Sequence, residues 1–489
     1  MDNLCMSAGF TMVESLEEKL HEDYATVSWV ISGYSLTLGS FIILLGKFGD
    51  VLGLHKIYLA GLLLMSISTL ICAVVPNAIA LIVFRAIQGI AAAALIPTGM
   101  GLTASYFQGK QLLIAIRILL VVLTSTAGVG TVIGGAFSLT SIGYKAFFYF
   151  TFGVCTVCFI TLWFIIIPVE PHSDMSLKNL DYYGAFFLVV GLLLVILGLT
   201  EAGTGWNSPK AYVPIPIGVV IVVAVAAYEL LYIGPYKKKH PGSTNWKSQL
   251  LVMFPTELGK VRLFVISSFG SLFYYCAYAV MQLGLIEYHQ AYDHDSALIS
   301  GLRVFPIVVG IIFGSIVWRP SIPQKLGDKH LIMFSSAVCL GMSIWTSKFG
   351  PGGYWKYELV SLFLMGWAIN AYYQIVYTTI ITQVPLHLQA TGSGIFQTFG
   401  QVGICLGSAA SASIIGTNPP DLKKNVDKCF YLVFACFGMV FFTFIVNYIL
   451  TWNKDGDEKT PEISDEEKDS EFKKDPDYKE EQADETGFS

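Results

Sequence analysis

The chain has 489 residues, of which 54% are hydrophobic and 13% are charged, with a formal net charge of −5 and a mean hydropathy of +0.61. Such an apolar composition leaves no room for a soluble catalytic domain, so we expect neither an enzyme nor a cofactor nor a nucleic-acid partner. Apolar runs of about 20 residues, long enough to cross a bilayer, recur along the chain. The sequence therefore predicts an all-α polytopic membrane protein.

The nine cysteines lie mostly within or at the ends of these apolar runs, away from histidine or acidic clusters. This placement argues against both a disulfide scaffold and a metal site.

The first apolar segment, Met1 to Val13, is followed by the acidic stretch from Glu14 to Asp23. At about 1.5 Å per residue the segment covers roughly 20 Å of a hydrocarbon core about 30 Å thick. We therefore expect this chain to begin inside its first transmembrane helix.

The first complete span is predicted at 28–46, with Tyr34 near its start. A tight loop from Gly46 to Lys56 follows, and its glycines, which include Gly53, permit close approach of helices. Asp50 and Lys56 are suited to charge-assisted contacts with the ends of neighbouring helices, which would hold one state of a moving bundle. The alternative is a plain solvated loop.

The segment from Leu81 to Pro97 places a guanidinium, Arg85, inside an apolar span. An arginine at the centre of a spanning helix costs roughly 2.5–3.5 kcal/mol, so it normally faces a bundle interior or an aqueous cavity. Gln88 lies one turn further on the same helical face. We therefore expect both residues to serve a substrate or proton pathway.

Three motifs on consecutive predicted spans resemble those of the major facilitator superfamily. The 46–56 loop resembles motif A, the Arg85-to-Gly89 segment resembles motif B, and Gly130, Gly134 and Gly135 resemble the antiporter signature, motif C. The sequence departs from motif A at Val51 and Leu54, which replace arginines, and from motif C at Thr131, which replaces a proline. The first departure weakens the expected charge relay, and the second keeps uptake or facilitated diffusion open as an alternative to antiport.

Within that superfamily the chain resembles the fungal drug:proton antiporters with fourteen spans, of the aminotriazole and multidrug-resistance type. Besides Met1 to Val13 and 28–46, the spans are predicted at 57–76, 78–100, 113–136, 146–168, 182–200, 212–233, 262–286, 298–318, 331–347, 357–381, 389–415 and 430–452. The resemblance implies two six-helix halves and two extra helices, and Asp2 matches an aspartate of the family's first span.

This pattern predicts four regions of the chain. They are an N-terminal bundle (1–168), two linker spans with a cytosolic basic loop (169–261), a C-terminal bundle (262–452) and a disordered acidic cytosolic tail (453–489). The lysines of the basic loop set the orientation. On the opposite side, the loop from Glu287 to Asp295 carries His289 and His294, and we interpret it as a solvated loop, with pH sensing as the alternative.

Polar side chains recur at helical spacing in the second half, at Asn370 and Gln374 on one span and at Gln397 and Gln401 on the next. They are either interhelical hydrogen-bonding residues or the lining of a solute site. The predicted spans contain almost no ionisable group besides three arginines and Asp2, so a second carboxylate for proton exchange is expected to be lacking.

The resulting hypothesis is a monomeric secondary transporter in the lipid bilayer that exports a small toxic or metabolic solute in exchange for protons. The alternatives are uptake or facilitated transport of a small nutrient, ammonium or metal chelate, and a non-transporting membrane sensor. We expect the plasma membrane as its location, with the vacuolar membrane as the alternative.

Overall fold

The computed structural model describes residues 2–22, 24–169, 177–203, 205–240, 245–318, 322, 326–350, 353–385, 388–415 and 422–451. Residues 1–443 form one compact unit, and 444–489 form a second, of which only 444–451 are described. The predicted tail at 453–489 lies outside the described residues.

The described residues are almost entirely helical, as the composition predicted. The main helices are α1 (Asp2–Thr11), α2 (Val13–Leu20), α3 (Tyr24–Leu52), α4 (Leu54–Val74), α5 (Ala78–Tyr106), α6 (Gly109–Ser138), α7 (Tyr144–Ile165), α8 (Tyr182–Ala202), α9 (Pro214–Ala227), α10 (Arg262–Ala291), α11 (Ala297–Val304), α12 (Pro306–Val317), α13 (Asp328–Thr346), α14 (Leu359–Gln383), α15 (Gln389–Ile415) and α16 (Leu422–Thr451).

Short helical segments complete the chain between these helices. They are Leu177–Asn179, Pro209–Tyr212, Tyr228–Ile233, Gly234–Lys239, Trp246–Gln249, Thr256–Lys260 and Tyr354–Glu358, of which the third and the last are π-helices. An isolated parallel bridge pairs Leu180 with Leu251 and fastens the start of α8 to the basic loop.

Twelve helical stretches of the described residues are long and apolar enough to span a membrane. The predicted count of fourteen is therefore not confirmed. The two predicted spans that fall short are still helices. One is the ten-residue α1, and the other is α13, whose first turn holds Asp328, Lys329 and His330 and leaves only 331–346 as an apolar stretch.

The prediction of a loop from Gly46 to Lys56 is wrong. Helix α3 continues to Leu52, and α4 begins at Leu54. Only Gly53 interrupts the two helices, with a φ of 105° that side chains disfavour. Glycines are tolerated in membrane helices because neighbouring helices pack against them, so Gly46 and Asp50 lie on the last turns of α3 and Lys56 on the first turn of α4.

Helix α3 occupies the centre of the bundle. It packs against α5 in the first half of the chain and against α15 in the second half, and α8 contacts both α3 and α15. Elsewhere in the bundle, α6 packs against α1 and α11. Helices of the two predicted halves therefore meet through α3 and α15 and through α6 and α11.

Candidate functional site

Arg85 lies inside the bundle, with a side chain that is 2% exposed. Its Nε donates to the carbonyl oxygen of Val30 (3.0 Å), and its Nη2 donates to that of Cys5 (3.4 Å). Its Nη1 donates to Oε1 of Gln88 (2.7 Å), which shares its helical face. The guanidinium carbon also stands 4.4 Å from the centre of the Tyr34 ring. These contacts fix the charge in one place and orientation.

Two further groups join this cluster. The Tyr34 hydroxyl donates to Oδ1 of Asp2, while Nε2 of Gln88 donates to Oγ1 of Thr69 (2.6 Å). The second carboxylate oxygen of Asp2 is buried and has no hydrogen-bond partner in the described part of the chain. Helices α1, α3, α4 and α5 thus bring a carboxylate, a phenol and a guanidinium together away from water.

In the second half, Gln397 is held by two tyrosines. Its Nε2 donates to the Tyr377 hydroxyl (2.6 Å), and its Oε1 accepts from the Tyr275 hydroxyl (3.1 Å). The rings of Tyr274 and Tyr372 stack nearby with centroids 4.2 Å apart. Helices α10, α14 and α15 thus meet at a cluster of aromatic rings, and the hydroxyl groups of Tyr275 and Tyr377 are hydrogen-bonded to Gln397.

The other three predicted amides are only partly satisfied. Asn370 accepts from Ser315 through Oδ1 (2.8 Å), but its Nδ2 has no partner among the described residues. Nε2 of Gln374 and Oε1 of Gln401 are buried in the same way, without a partner in the part of the chain that the structure describes. Leaving such an atom unpaired costs about 1–3 kcal/mol.

At the end of the bundle next to the basic loop, which we call the inner end, Asp50 of α3 caps α15. Its Oδ2 accepts from the backbone nitrogen of Thr391 (3.2 Å) and from the Thr391 hydroxyl (2.5 Å). A carboxylate at a helix N-terminus is stabilised by the unpaired backbone N–H groups there. A Cβ on Gly46 would lie 3.0 Å from the carbonyl oxygen of Ala390, so this glycine permits the close approach. Lys56 lies exposed on the first turn of α4.

At the opposite end, which we call the outer end, the motif C glycines of α6 pack directly on backbone atoms. A Cβ on Gly130 would lie 2.7 Å from the carbonyl oxygen of Leu4, and one on Gly134 would lie 2.8 Å from that of Ala8. Gly135 faces α11, where a Cβ would lie 2.7 Å from the carbonyl oxygen of Ala297. These glycines therefore join α6 to α1 and to α11 at the outer end.

We expect Gly135→Ala to loosen the outer contact between α6 and α11. The added methyl group meets a carbonyl oxygen, which cannot rotate away, so the helices must separate. Overpacking costs about 1–3 kcal/mol, which shifts the equilibrium toward the state in which this contact is open. When the buried Ser300 is replaced by cysteine, an impermeant thiol reagent should therefore label it roughly tenfold faster. Gly153→Ala is the matched control, because a Cβ there meets nothing within 4 Å. Equal labelling rates in the two variants would contradict the expectation.

The predicted spans do contain buried carboxylates besides Asp2, against the expectation that they hold almost no other ionisable group. Glu229 and Glu358 both lie within the predicted spans, at 0% and 2% exposure. Oε2 of Glu358 lies 2.8 Å from Nε2 of His289, whose Nδ1 lies 2.9 Å from Oδ2 of Asp293. Arg303 completes this outer cluster at 2.6 Å from the same Asp293 oxygen. His289 belongs to the buried end of α10 rather than to a solvated loop.

Replacement of Glu358 by alanine should lower the free energy of unfolding by about 1–3 kcal/mol, because it leaves the buried Nε2 of His289 without its hydrogen-bond partner. Asp427→Ala breaks the half-exposed pair with Lys423 and should change it by less than about 1 kcal/mol. Thermal unfolding of the purified variants measures the difference. Similar melting temperatures would show that the outer cluster contributes little.

All seven predicted pathway residues are buried, with exposed fractions of 3% or less. The structure brings Tyr34, Arg85 and Gln88 together in the first half. Asn370, Gln374, Gln397 and Gln401 lie on α14 and α15 in the second half. Sequence reasoning missed Thr391, and it missed Glu358 although that residue is an acid within the predicted 357–381 span.

Comparisons with known proteins find similarity to proteins named as membrane transporters. The family model "Major Facilitator Superfamily" matches residues 4–215. The tetracenomycin C resistance and export protein of Streptomyces glaucescens is 24% identical over 83% of this chain and 72% of its own length. The efflux pump terJ of Aspergillus terreus is also 24% identical, over 88% of this chain and 83% of its own.

Among solved structures, the human organic anion transporter MFSD10 (TETRAN) superposes with a TM-score of 0.57 at 13% identity, covering 91% of this chain and 97% of that one. This likeness concerns the fold. Residues 4–215 thus resemble the major facilitator superfamily, and the twelve apolar helices of the described residues indicate an integral membrane protein.

Proposed function

We propose that this protein exports a small toxic or metabolic solute in exchange for protons. The observation that carries the proposal is the buried cluster of Asp2, Tyr34 and Arg85. Asp2 has one oxygen bonded to Tyr34 and the other without a partner among the described residues. Protonation at Asp2 changes the charge of a water-poor cluster in which the guanidinium is already held by Gln88 and two carbonyls. Such a change biases the conformations of the bundle.

The solute in this proposal is recognised by hydrogen bonds and aromatic faces. The unpaired amide atoms of Asn370, Gln374 and Gln401 supply two donors and one acceptor. The tyrosines around Gln397 supply ring surface. A neutral or weakly basic molecule with an apolar ring and a few polar groups matches this chemistry. The names of the Streptomyces and Aspergillus relatives support export as the direction.

The proposal includes a mechanism for alternating access. The predicted bundles, 1–168 and 262–452, rock about the polar cluster while the α3–α15 contact and the α6–α11 contact open in turn. Residues 169–261 supply the two additional spans. We place the transporter in the plasma membrane, where export removes a toxic solute from the cell.

A vesicle assay tests the function while the solute is still to be identified. The purified protein is reconstituted with a trapped pH-sensitive dye, and compounds are added that change the growth of deletion and overexpression strains. Proton movement opposite to that of a compound supports exchange. Movement of both in the same direction, or solute flux without protons, would indicate uptake or facilitated diffusion. Absence of any flux for every active compound would favour a sensor.

Asp2→Asn separates coupling from folding in the same assay. The amide keeps the size of the side chain and its bond with Tyr34 but cannot exchange a proton. Proton movement should be lost while downhill solute flux remains. If the variant still couples solute to protons, another group carries the proton.

A further inference from the structure

A cavity of about 710 Å³ lies beside the inner end of α3, next to the basic loop. Its wall combines positive charge from three parts of the chain with some apolar surface. The charged lining residues are Lys47, Lys237, Lys238, Lys260 and Glu257. Four lysines thus face one glutamate among the described lining residues.

Lys47 is the unusual member of this wall. Its side chain is 2% exposed, yet its ammonium group forms no hydrogen bond or ion pair with any described residue. Asp50 lies one turn away on α3, and Glu257 is the acidic residue that shares the cavity lining with Lys47 among the described residues. An ammonium group on a side chain with so little exposure and no direct partner is costly, so an anion in the cavity that Lys47 lines would stabilise it.

The wall is held in place by specific contacts. Glu229 accepts from the backbone nitrogens of Met253 (3.1 Å) and Phe254 (2.7 Å). The Lys237 ammonium donates to the carbonyl oxygen of Leu250. These bonds position the 250–256 segment, so lysines distant in the sequence converge on one space.

We propose that this cavity binds the phosphate-bearing headgroup of an anionic phospholipid from the cytosolic leaflet, with Lys47 as the deepest contact. Lysines bind phosphate as point charges, and basic pockets between helices on the cytosolic side suit such headgroups. The lysine-rich loop marks this end of the bundle as cytosolic. Leu230 and Ile233 in the same wall offer apolar surface to the adjoining part of the lipid.

Binding would act on the inner contact between α3 and α15. Lys47 and Asp50 lie one turn apart on α3, and Leu388, which directly precedes α15, also lines the cavity. A headgroup that binds both Lys47 and the lysines of the basic loop therefore keeps α3 in the position in which Asp50 caps the N-terminus of α15. The lipid thus favours the state in which the inner end is closed.

The test uses the purified full-length protein in neutral detergent and follows its melting temperature. Dioctanoyl phosphatidylinositol monophosphate should raise the Tm by about 2–4 °C at saturation, and dioctanoyl phosphatidylcholine should not. The free inositol phosphate headgroup and inorganic phosphate are added separately. A shift with the lipid alone assigns the lipid headgroup as the ligand. An equal shift with a soluble phosphate overturns the lipid assignment and leaves a phosphate site.

Two variants make the result specific. Lys47→Met removes the buried charge while filling similar volume, so its Tm without lipid should equal or exceed that of the original protein, and its lipid-dependent shift should disappear. Lys239→Gln changes an exposed neighbour outside the cavity lining and should keep the shift. The proposal fails if Lys47→Met retains the full shift or if phosphatidylcholine stabilises equally well.

Discussion

Replacing Arg85 by alanine is expected to reduce solute flux to the level of empty vesicles. The substitution removes three hydrogen bonds and the charge next to Asp2 and Tyr34. Loss of a buried charged partner is worth about 3–5 kcal/mol, which exceeds a hundredfold in rate if it falls on the transport step. Proteoliposome flux measures the effect, and size-exclusion chromatography with thermal melting shows whether the variant remains folded.

Two companions of Arg85→Ala make the result interpretable. Arg85→Lys keeps the positive charge without the fork geometry, so it should retain a measurable part of the flux. Arg117→Ala removes another span arginine, whose Nε has no partner among the described residues, and should leave the flux unchanged. Normal flux in folded Arg85→Ala would remove Arg85 from the pathway.

Asp50→Asn should lower turnover at least tenfold while it changes the apparent affinity for solute little. The amide keeps one acceptor for Thr391 but loses the negative charge at the N-terminus of α15. A charge-assisted hydrogen bond contributes about 1.5–3 kcal/mol, and the helix terminus adds a few tenths or more. Since Asp50 bonds a helix end rather than solute, the change biases conformations. Initial rates across a range of solute concentrations separate kcat from KM.

The partner residue supplies the control for Asp50. Thr391→Ser keeps the hydroxyl that donates to Oδ2 and should turn over normally, whereas Thr391→Val removes it and should reproduce part of the Asp50 effect. An unchanged turnover with a large rise in KM for Asp50→Asn would instead indicate a role in solute binding.

The helical class follows from the apolar runs, and local spacing predicts Arg85 and Gln88 on one face, where their side chains do meet. Spacing within one helix is fixed by its pitch, so contacts of this kind are predictable from sequence. The loop predicted at 46–56 shows where local sequence patterns mislead. Glycine and charge usually mark turns, but in a membrane bundle they also mark the place where another helix comes close.

Contacts between distant segments have no signal in the sequence. Thr391 is 341 positions from Asp50, and Glu358 is 69 positions from His289. Such pairs arise when helices pack side by side, and a single sequence does not encode which helices become neighbours. Lys47 falls within the segment predicted as a loop, so its burial could not be anticipated.

The contrast between the two polar clusters has an electrical consequence. The cluster on α14 and α15 consists of amides and phenols, which are uncharged at neutral pH, whereas the cluster around Arg85 and Asp2 carries ionisable groups. A membrane potential does work only on charge that moves, about 2.3 kcal/mol per elementary charge per 100 mV. In the proposed mechanism, voltage therefore acts on the ionisable groups around Arg85 and Asp2 and on the cluster of Glu358 and His289, and the amides and phenols of α14 and α15 contribute little.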